Sequence, residues 1–368
     1  MKRRRRCRVL IVETGSGLGG SARALGEMLR GFDGRRFDAT VLFTKPDAAS
    51  DRMGSARILK TARAVGRSPR RWPADMMYLR RMLRDARPDV VHLNNELYSS
   101  VPVILAAALM RIPVVCHLRS QRRPTRIERL LAPLCRRLVA ISFEGQKYFR
   151  RRLAGAGRKI EMVQDSFVRI PERLVKRGMK GSVTIGMTSN LVRGKGHETV
   201  ISAMPRIMRA HPEARLKIAG CAVGDGSYAE ELRERVGRLG LGGAVEFAGW
   251  VDDIAGFLRG VDILVDASRL PEGYRHTIVE AMQAGAAVVA SATGPVREII
   301  RSQAEGVIVP PADSEAIAEA VCMLLDNPRV MREMARTARE AAVSRFQSRE
   351  GIRRMGELYR EAALSRRV

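Results

Sequence analysis

The sequence predicts an α/β protein of two domains, each a doubly wound parallel sheet covered by helices. Short apolar runs alternate with longer amphipathic segments in both halves of the chain, as parallel strands and covering helices require. At 368 residues the chain is longer than one hydrophobic core usually supports. Around 171–181 the alternation gives way to Pro, Gly and charged residues, and a new strand begins at Val183. The linker between the domains therefore belongs here.

The alternation predicts eleven strands with helices between them. In the first domain they span 8–12, 40–43, 90–93, 114–117 and 138–141. In the second domain they span 183–187, 216–219, 245–247, 263–265, 287–290 and 307–309. We expect helices at 228–239 and 314–325, and a loop with a short helix at 47–74, where periodicity is weak. Ligands of open α/β sheets bind at the carboxyl ends of strands, so the residues after each strand are candidates for chemistry.

Composition and cysteine spacing predict a folded protein of a reducing compartment. Hydrophobic residues make up 45% of the chain, enough to bury a core. The five cysteines are odd in number and never in a CxxC spacing, which argues against a disulfide framework and a zinc site. The apolar run 101–110 is about half the roughly 20 residues that cross a bilayer, and the basic start 1–8 leads into a strand-like segment too short for a signal peptide. We expect a cytoplasmic protein.

The net charge of +27 indicates a partner rich in phosphate. Basic residues are dense at 2–6, 119–129 and 147–152, all in the first half, where they could line one surface at an anionic membrane. The alternative is a general enrichment in arginine over a solvated surface. No aromatic residue stands among the basic residues of 2–6 and 119–129, which argues against single-stranded nucleic-acid binding by base stacking. We expect no nucleic-acid partner.

The segment 271–282 follows a strand, opens a helix and contains two carboxylates, Glu272 and Glu280. If the helix begins near His276, the backbone N–H groups of 274–278 lie at its N-terminus, where the helix dipole favours an anion such as a diphosphate. The two carboxylates would then reach hydroxyls on either side of that anion. For an isolated pair, the alternative is a solvent-facing loop glutamate and a helix glutamate without a special role.

The stretch 251–328 resembles the retaining glycosyltransferases of family 4, which include lipid-sugar mannosyltransferases and sucrose and glycogen synthases. The hallmark is two glutamates separated by seven residues, the second of which begins E-A-M-x-x-G, followed by a strand. Here the matching residues are Glu272, Glu280, Ala281, Met282 and Gly285, with the strand at 287–290. The segments 247–251 and 324–328 also match the family pattern. The resemblance covers nearly all of 183–345 and, more loosely, the first domain.

This resemblance implies the GT-B fold, two Rossmann-like domains facing each other across a cleft. Residues 1–172 would bind the acceptor, and residues 181–345 would bind a nucleotide-sugar donor. Residues 346–368 would form a C-terminal helix that crosses back to the first domain.

The resemblance also assigns roles around the two glutamates. Glu272 would lie by the transferred sugar, and Glu280 would hold ribose hydroxyls of the nucleotide. The backbone of Gly273, Tyr274, Arg275, His276 and Thr277 would meet the diphosphate. Many relatives have Gly-Leu/Pro-Pro where this chain has Arg-His-Thr, so the relatives' sugar specificity does not carry over.

The segment 186–197 resembles the family's G-R-L-x-x-x-K-G motif, whose arginine and lysine neutralise the donor diphosphate. This chain keeps the lysine as Lys195 and has Asn190 where the arginine is usual. Either Arg193 supplies the missing charge or the site is weaker.

A glycine-rich loop follows the first strand and satisfies G-x-G-x-x-G at Gly15, Gly17 and Gly20. The spacing suggests a dinucleotide site, but the acidic residue expected after the second strand is absent, because that strand ends at Lys45. The same loop, with Gly19 and Gly20, resembles the glycine-rich loop that lies over donor and acceptor in the family, and we prefer this interpretation.

Polar side chains at the ends of two other strands of the first domain are further candidates. His117 stands where a histidine faces the reacting sugar in the family. Arg119 and the adjacent basic run could receive a phosphorylated or lipid-linked acceptor. Asn94 and Asn95, together with His92, end the neighbouring strand and are expected near the acceptor.

Together these features predict a retaining hexosyltransferase that moves a sugar from a UDP- or GDP-linked donor to a hydroxyl of a glycan, lipid-linked or small-molecule acceptor. His117, Glu272 and Lys195 are the predicted catalytic residues. No cofactor or metal is expected, because Lys195, Arg193 and the helix N-terminus after Glu272 would do what a divalent cation does elsewhere. The lack of a suitably placed Asp-x-Asp pair is consistent with this. Two alternatives are a nicotinamide-dependent oxidoreductase that uses the Gly15–Gly20 loop and a basic nucleic-acid-binding protein. Both leave the motifs of the second domain unexplained.

Overall fold

The computed structural model describes residues 5–15, 19–46, 48–51, 53–54, 56–62, 64–66, 68–167, 169–171, 183–271 and 273–365. The chain divides into two compact units. Unit 1 comprises Met1–Val168 together with Gln347–Val368, and unit 2 comprises Arg169–Phe346.

Unit 1 contains a seven-stranded sheet whose strands are all parallel. The strands are β1 Cys7–Glu13, β2 Phe37–Phe43, β3 Arg57–Lys60, β4 Val90–Leu93, β5 Val114–Leu118, β6 Arg137–Ala140 and β7 Ile160–Met162. Their order is β3-β2-β1-β4-β5-β6-β7, so the direction of winding reverses between β1 and β4. In doubly wound sheets the crevice at this reversal is where ligands bind.

Helices cover both faces of this sheet. They are α1 Gly20–Gly31, α2 Trp72–Ala86, α3 Val101–Leu109, α4 Arg126–Leu131, α5 Phe143–Arg152 and α13 Ser348–Leu364. One apolar core lies between the sheet and α2, α3 and α5, and a second lies between the sheet and α1 and α13. The last helix of the chain therefore belongs to unit 1. It packs closely, since a Cβ on Gly356 would lie 2.9 Å from the Phe37 ring.

Unit 2 repeats the design with a six-stranded parallel sheet. The strands are β8 Thr184–Thr188, β9 Arg215–Ala219, β10 Val245–Gly249, β11 Ile263–Asp266, β12 Ala287–Ser291 and β13 Val307–Val309. The order β10-β9-β8-β11-β12-β13 places the reversal between β8 and β11. The helices are α6 His197–Ala210, α7 Ser227–Arg238, α8 Ile254–Arg259, α9 His276–Ala284, α10 Val296–Ile299, α11 Ser314–Asp326 and α12 Pro328–Arg345.

All eleven strands predicted from the sequence are present, which confirms the predicted fold class. Two strands were not predicted, β3 and β7, and the segment 47–74 is not simply a loop with a short helix, because it contains β3 and the start of α2. Both missed strands lie at the edges of the sheet. Arg57 and Lys60 of β3 are exposed, so the strand lacks the continuous apolar run of a central strand.

None of the helices within the described ranges is long and apolar enough to cross a membrane.

Candidate functional site

At the edge of the first sheet, the buried carboxylate of Glu13 holds the start of the glycine-rich loop. Glu13 is the last residue of β1, and its Oε1 accepts a hydrogen bond from the backbone N–H of Gly15 at 2.7 Å. Its Oε2 accepts one from the Asn94 side chain, just after β4, at 2.6 Å. Glu13 thus joins the two strands at the reversal of winding. Residues 16–18 of the loop, including Gly17, lie outside the described residues.

The loop resumes at the start of α1. Gly19 has φ +102°, a conformation that favours glycine, and Gly20 is the first helical residue. No described side chain caps this helix, and its first turn has no acidic residue. Gly19 and Gly20, both predicted site residues, therefore lie at the N-terminus of α1, where backbone N–H groups are available at the carboxyl edge of the sheet.

Arg119, expected to receive an acceptor, instead has its guanidinium turned inward. Its Nε donates to the Asn94 carbonyl at 2.7 Å, its Nη2 donates to Asn94 Oδ1 at 3.0 Å, and its Nη1 pairs with Asp165. The Arg119 and Asp165 side chains are 11% and 5% exposed. Asn94 is fully buried, while Asn95 accepts from the Thr14 backbone N–H at 3.0 Å. Arg119 and Asn94 therefore brace the strand ends, because burial without these bonds would be costly.

His117, near the end of β5, is buried and lies against a second histidine. Its Nδ1 is 2.6 Å from Nε2 of His92, and Nδ1 of His92 is 2.8 Å from the hydroxyl of Tyr359 on α13. Burial and the nearby Arg119 cation lower the pKa of His117 to about 3. Burial, His117 and Arg119 hold the pKa of His92 well below its usual range. Both imidazoles are consequently neutral at physiological pH.

In unit 2, the loop that carries Lys195 follows β8 and packs against the segment after β11. Gly194 and Gly196 have φ +94° and +79°. A Cβ on Gly196 would lie 2.0 Å from the Ala267 carbonyl oxygen, so only glycine allows this approach. The backbone N–H of Arg269 donates to the Gly194 carbonyl at 2.7 Å. These contacts hold the half-buried Lys195 close to the strand end that leads into α9.

Arg193 and Asn190, the two candidates to complete the lysine motif, have different surroundings. Arg193 is exposed, pairs with Glu231 and lies over the Tyr228 ring at 5.0 Å. The Oδ1 of Asn190 accepts from the Cys221 thiol at 3.7 Å. Arg193 carries a cation on this loop, but Glu231 offsets part of its charge.

Helix α9 begins at His276, which agrees with the prediction from the sequence. No described side chain caps it, and no acidic residue lies in its first turn, so its N-terminus favours an anion. Glu280 is fully buried inside the helix, and Tyr274 packs edge to face against Phe346 with 6.0 Å between ring centroids. Glu272 lies outside the described residues.

The Arg275 side chain forms a buried ion pair that the sequence did not reveal. It is 2% exposed and pairs with Asp266 at the end of β11. Its Nη2 also donates to the Thr293 carbonyl, after β12, at 3.0 Å. The guanidinium therefore ties together two strand ends and the start of α9. The side chain of Arg275 therefore has a structural role, while its backbone lies at the N-terminus of α9, where the sequence predicted it.

The adjacent acids Asp252 and Asp253 have local structural partners. Asp252 accepts from the Trp250 indole N–H at 2.9 Å, and Asp253 caps α8 through the Gly256 backbone N–H at 2.9 Å. Across the described ranges, no group of three His, Cys, Asp or Glu side chains has the arrangement of a metal site.

Two family models match the chain. Residues 172–341 match the model of the glycosyl transferases group 1, and residues 19–163 match that of the glycosyl transferase 4-like domain. The chain belongs to the group 1 glycosyltransferase family. This family member is 36% identical over 154 residues to the phosphatidyl-myo-inositol mannosyltransferase of Mycobacterium leprae, a match that covers 41% of the chain and 39% of the relative.

A longer match joins this family member to an exopolysaccharide phosphotransferase of Streptomyces coelicolor, with 28% identity over 293 residues. It covers 77% of the chain and 30% of the relative, so the chain spans well under half the length of either relative.

Solved structures show that the fold of this group 1 family member is GT-B. The structure of Anabaena Alr3699/HepE in complex with UDP and glucose aligns with a TM-score of 0.82 and 20% identity, covering 95% of this chain and 98% of that one. A sucrose-phosphate synthase of Thermosynechococcus elongatus aligns with a TM-score of 0.80 and 20% identity, covering 98% and 100%.

Sequence reasoning missed several residues that shape these two strand edges. They are Glu13, Asp165, Asp266 and Tyr359, and the structural role of Arg275. Glu13 offered a signal, since a carboxylate that ends an apolar strand must find buried donors. Asp266 ends a strand in the same way. Asp165 and Tyr359 depend on partners that are 46 and 267 residues away along the chain.

Proposed function

We propose that this chain is a metal-independent, retaining glycosyltransferase that moves a sugar from a UDP- or GDP-sugar to a hydroxyl of a glycan, lipid-linked or small-molecule acceptor. One observation carries the proposal. The Lys195 loop and the start of α9, which no described side chain caps, lie at adjacent strand ends of the second sheet, held together by the contacts of Gly194 and Gly196. A lysine beside a helix N-terminus suits a nucleoside diphosphate.

In this proposal, unit 2 stabilises the leaving group. Breaking the bond between sugar and diphosphate builds negative charge on the phosphate, and donors fixed in place beforehand lower the barrier. Lys195, Arg193 and the backbone N–H groups of 273–277 supply that stabilisation, in place of a divalent cation. The structural partners of Asp252 and Asp253 support this, because these acids already cap and brace the chain locally.

The remaining roles follow the family. Glu272 lies by the transferred sugar, the buried Glu280 holds ribose hydroxyls, and His117 faces the reacting sugar. The acceptor hydroxyl attacks on the face that the leaving group departs from, and the leaving phosphate takes its proton. Retention of configuration follows from this same-face attack. Trapping a covalent glycosyl-enzyme adduct would contradict it.

Thermal unfolding with a panel of UDP-, GDP- and ADP-sugars in chelator tests the donor assignment. A ligand at about 100 times its Kd adds roughly 2.7 kcal/mol, which moves the midpoint of a domain of this size by about 5–10 °C. We expect one nucleotide-sugar series to produce such a shift. We expect Lys195→Ala to lose most of it.

Three controls decide between interpretations. Lys217→Ala removes a half-buried lysine of β9 that pairs with Glu246, and it should keep the shift. NADH and an oligonucleotide represent the two alternative functions. Stabilisation by either of these alone would overturn the proposal, and a donor shift that appears only after metal is added would overturn its metal independence.

We also propose that unit 1 binds an anionic membrane surface through α4 and the turn after it. The exposed fractions of Ile127, Leu130 and Leu134 are 38%, 75% and 49%. Exposed arginines flank them at 123, 126, 129 and 136, while the one acid of the helix, Glu128, is buried and bonded to Arg122. Exposed apolar side chains ringed by uncompensated cations suit a surface of anionic lipid.

Vesicle flotation tests this partner. Each cation near an anionic surface contributes about 1 kcal/mol, so Arg126→Glu with Arg129→Glu should weaken binding to phosphatidylglycerol vesicles by at least roughly 30-fold. Arg329→Glu with Arg332→Glu, on the exposed face of α12 in unit 2, makes the same charge change and should bind normally. Equal loss in both double variants, or equal binding to neutral phosphatidylcholine vesicles, would refute the surface assignment.

A further inference from the structure

Three side chains from three separate elements form a buried chain of hydrogen bonds in unit 1. The Tyr359 hydroxyl on α13 is 2.8 Å from His92 Nδ1 on β4, and His92 Nε2 is 2.6 Å from His117 Nδ1 on β5. Tyr359 and His92 are fully buried, and His117 is 3% exposed. Within the described residues, the His117 imidazole makes no other hydrogen bond, which leaves its Nε2 as the terminus of the chain.

The direction of these hydrogen bonds follows from counting protons. Each of the two contacts holds one proton, because two N–H groups or two lone pairs at such a distance would repel. If His92 Nδ1 donated to the tyrosine, the hydroxyl proton would need a different acceptor. The other contact of the hydroxyl is the Met28 sulfur at 4.0 Å, a weak acceptor. The Tyr359 hydroxyl therefore donates to His92 Nδ1.

That direction propagates along the chain. With a lone pair on Nδ1, neutral His92 carries its proton on Nε2 and donates it to His117 Nδ1. Neutral His117 in turn carries its proton on Nε2. Its open end is then an N–H donor and not a basic lone pair.

The surroundings keep all three groups neutral. The charged groups that face the two imidazoles are Arg119 and Asp165, which pair with each other. The pKa of His117 is lowered to about 3, mainly by burial and then by Arg119, while Asp165 acts in the opposite sense. Burial raises the pKa of Tyr359 well above its usual range, so its hydroxyl proton is retained.

We infer that Tyr359 and His92 are positioning residues that fix His117 as the Nε2–H tautomer, so that His117 donates a hydrogen bond to a sugar oxygen and does not act as a base. The hydrogen bond from His117 to a sugar oxygen rests on the proposed function, whereas the assignment of the His117 tautomer does not. It also gives the C-terminal helix a role at the site, since α13 supplies the donor that starts the chain. Proton removal from the acceptor is then left to the leaving phosphate.

Imidazole ¹⁵N NMR of the full chain tests the tautomer directly, because the chain has only five histidines. His92→Phe and His117→Ala assign the two resonance pairs. In the native chain we expect protonated Nε2 and lone-pair Nδ1 on both His92 and His117. In Tyr359→Phe, which keeps the aromatic ring, we expect the Nδ1–H tautomer of His117 to rise about tenfold, to a sizeable fraction of the molecules.

Met28→Leu is the matched control. It removes the weak sulfur contact of Tyr359 and leaves the bond from the hydroxyl to His92, so both tautomers should stay as in the native chain. Transfer of sugar from the donor identified above provides the second readout. In Tyr359→Phe we expect kcat to fall in proportion to the lost Nε2–H fraction, with the donor KM unchanged.

The two readouts separate failure of the inference from failure of the proposed function. A native spectrum with Nδ1–H on His117, or a Tyr359→Phe spectrum identical to the native one, overturns the inference even if transfer is observed. Absence of transfer by the native chain overturns the proposed function and leaves the tautomer assignment standing. A changed tautomer with unchanged kcat overturns the donor role of His117.

Discussion

Replacing Lys195 with alanine is expected to lower kcat/KM for sugar transfer by about 10²–10³-fold, or roughly 3–4 kcal/mol of transition-state stabilisation. Lys195 lies between two glycines with positive φ, Gly194 and Gly196. These glycines allow the loop to pack closely against the segment between β11 and α9. The charge of Lys195 meets the leaving phosphate most strongly when the bond breaks, so kcat should fall more than KM rises. Steady-state kinetics with the donor identified by thermal shift measure this.

Arg193→Ala shows which cation completes the motif. Because Glu231 offsets part of the charge of Arg193, we expect a loss of no more than about tenfold. Lys217→Ala should leave the kinetics unchanged. If Arg193→Ala proves as damaging as Lys195→Ala, Arg193 replaces the arginine that relatives have at position 190. If Lys195→Ala retains native kcat/KM, the assignment of the diphosphate site is wrong.

Arg275→Met is expected to lower the free energy of unfolding of unit 2 by about 3–5 kcal/mol, because the largely buried Asp266 carboxylate loses its cation and keeps a hydrogen bond from the Ser268 backbone N–H. The Nη2 bond to the Thr293 carbonyl is lost as well. Denaturant titration measures the loss, followed by the transition assigned to unit 2, since two units need not unfold together.

Two further variants test the reason for the loss. Arg275→Met combined with Asp266→Leu removes both charges and should recover much of the stability. Arg206→Met breaks an exposed pair with Glu315 and should leave the transition unchanged. If the double variant is as unstable as Arg275→Met alone, the loss comes from packing and not from an uncompensated carboxylate.

Local patterns in the sequence predicted most of the fold. The central strands of both sheets are buried on both faces and therefore read as continuous apolar runs. The edge strands β3 and β7 were missed because β3 has an exposed charged residue at each end and β7 is only three residues long. An edge strand pairs with one neighbour only, so its sequence carries a weaker signal.

The sequence predicted only those parts of the candidate site whose residues lie within one continuous segment. The start of α9 at His276 and the glycine-bounded Lys195 loop each lie within a single stretch of sequence. Arg119 and the adjacent basic run were expected to receive a phosphorylated or lipid-linked acceptor. The structure instead turns Arg119 onto Asp165, 46 residues away, where burial requires that the charges be paired.

The sequence by itself determined the two doubly wound sheets, the strand ends where chemistry is placed and the family motif at Lys195 and α9. Hydrophobic periodicity and glycine spacing involve residues that are close in sequence, so both can be recognised without knowledge of the tertiary contacts. Only the tertiary structure decided the partners of the buried polar groups. Tyr359 reaches His92 across 267 residues and Glu13 reaches Asn94 across 81. Such pairs form because a buried polar group must find a partner, and the fold alone determines which one is in reach.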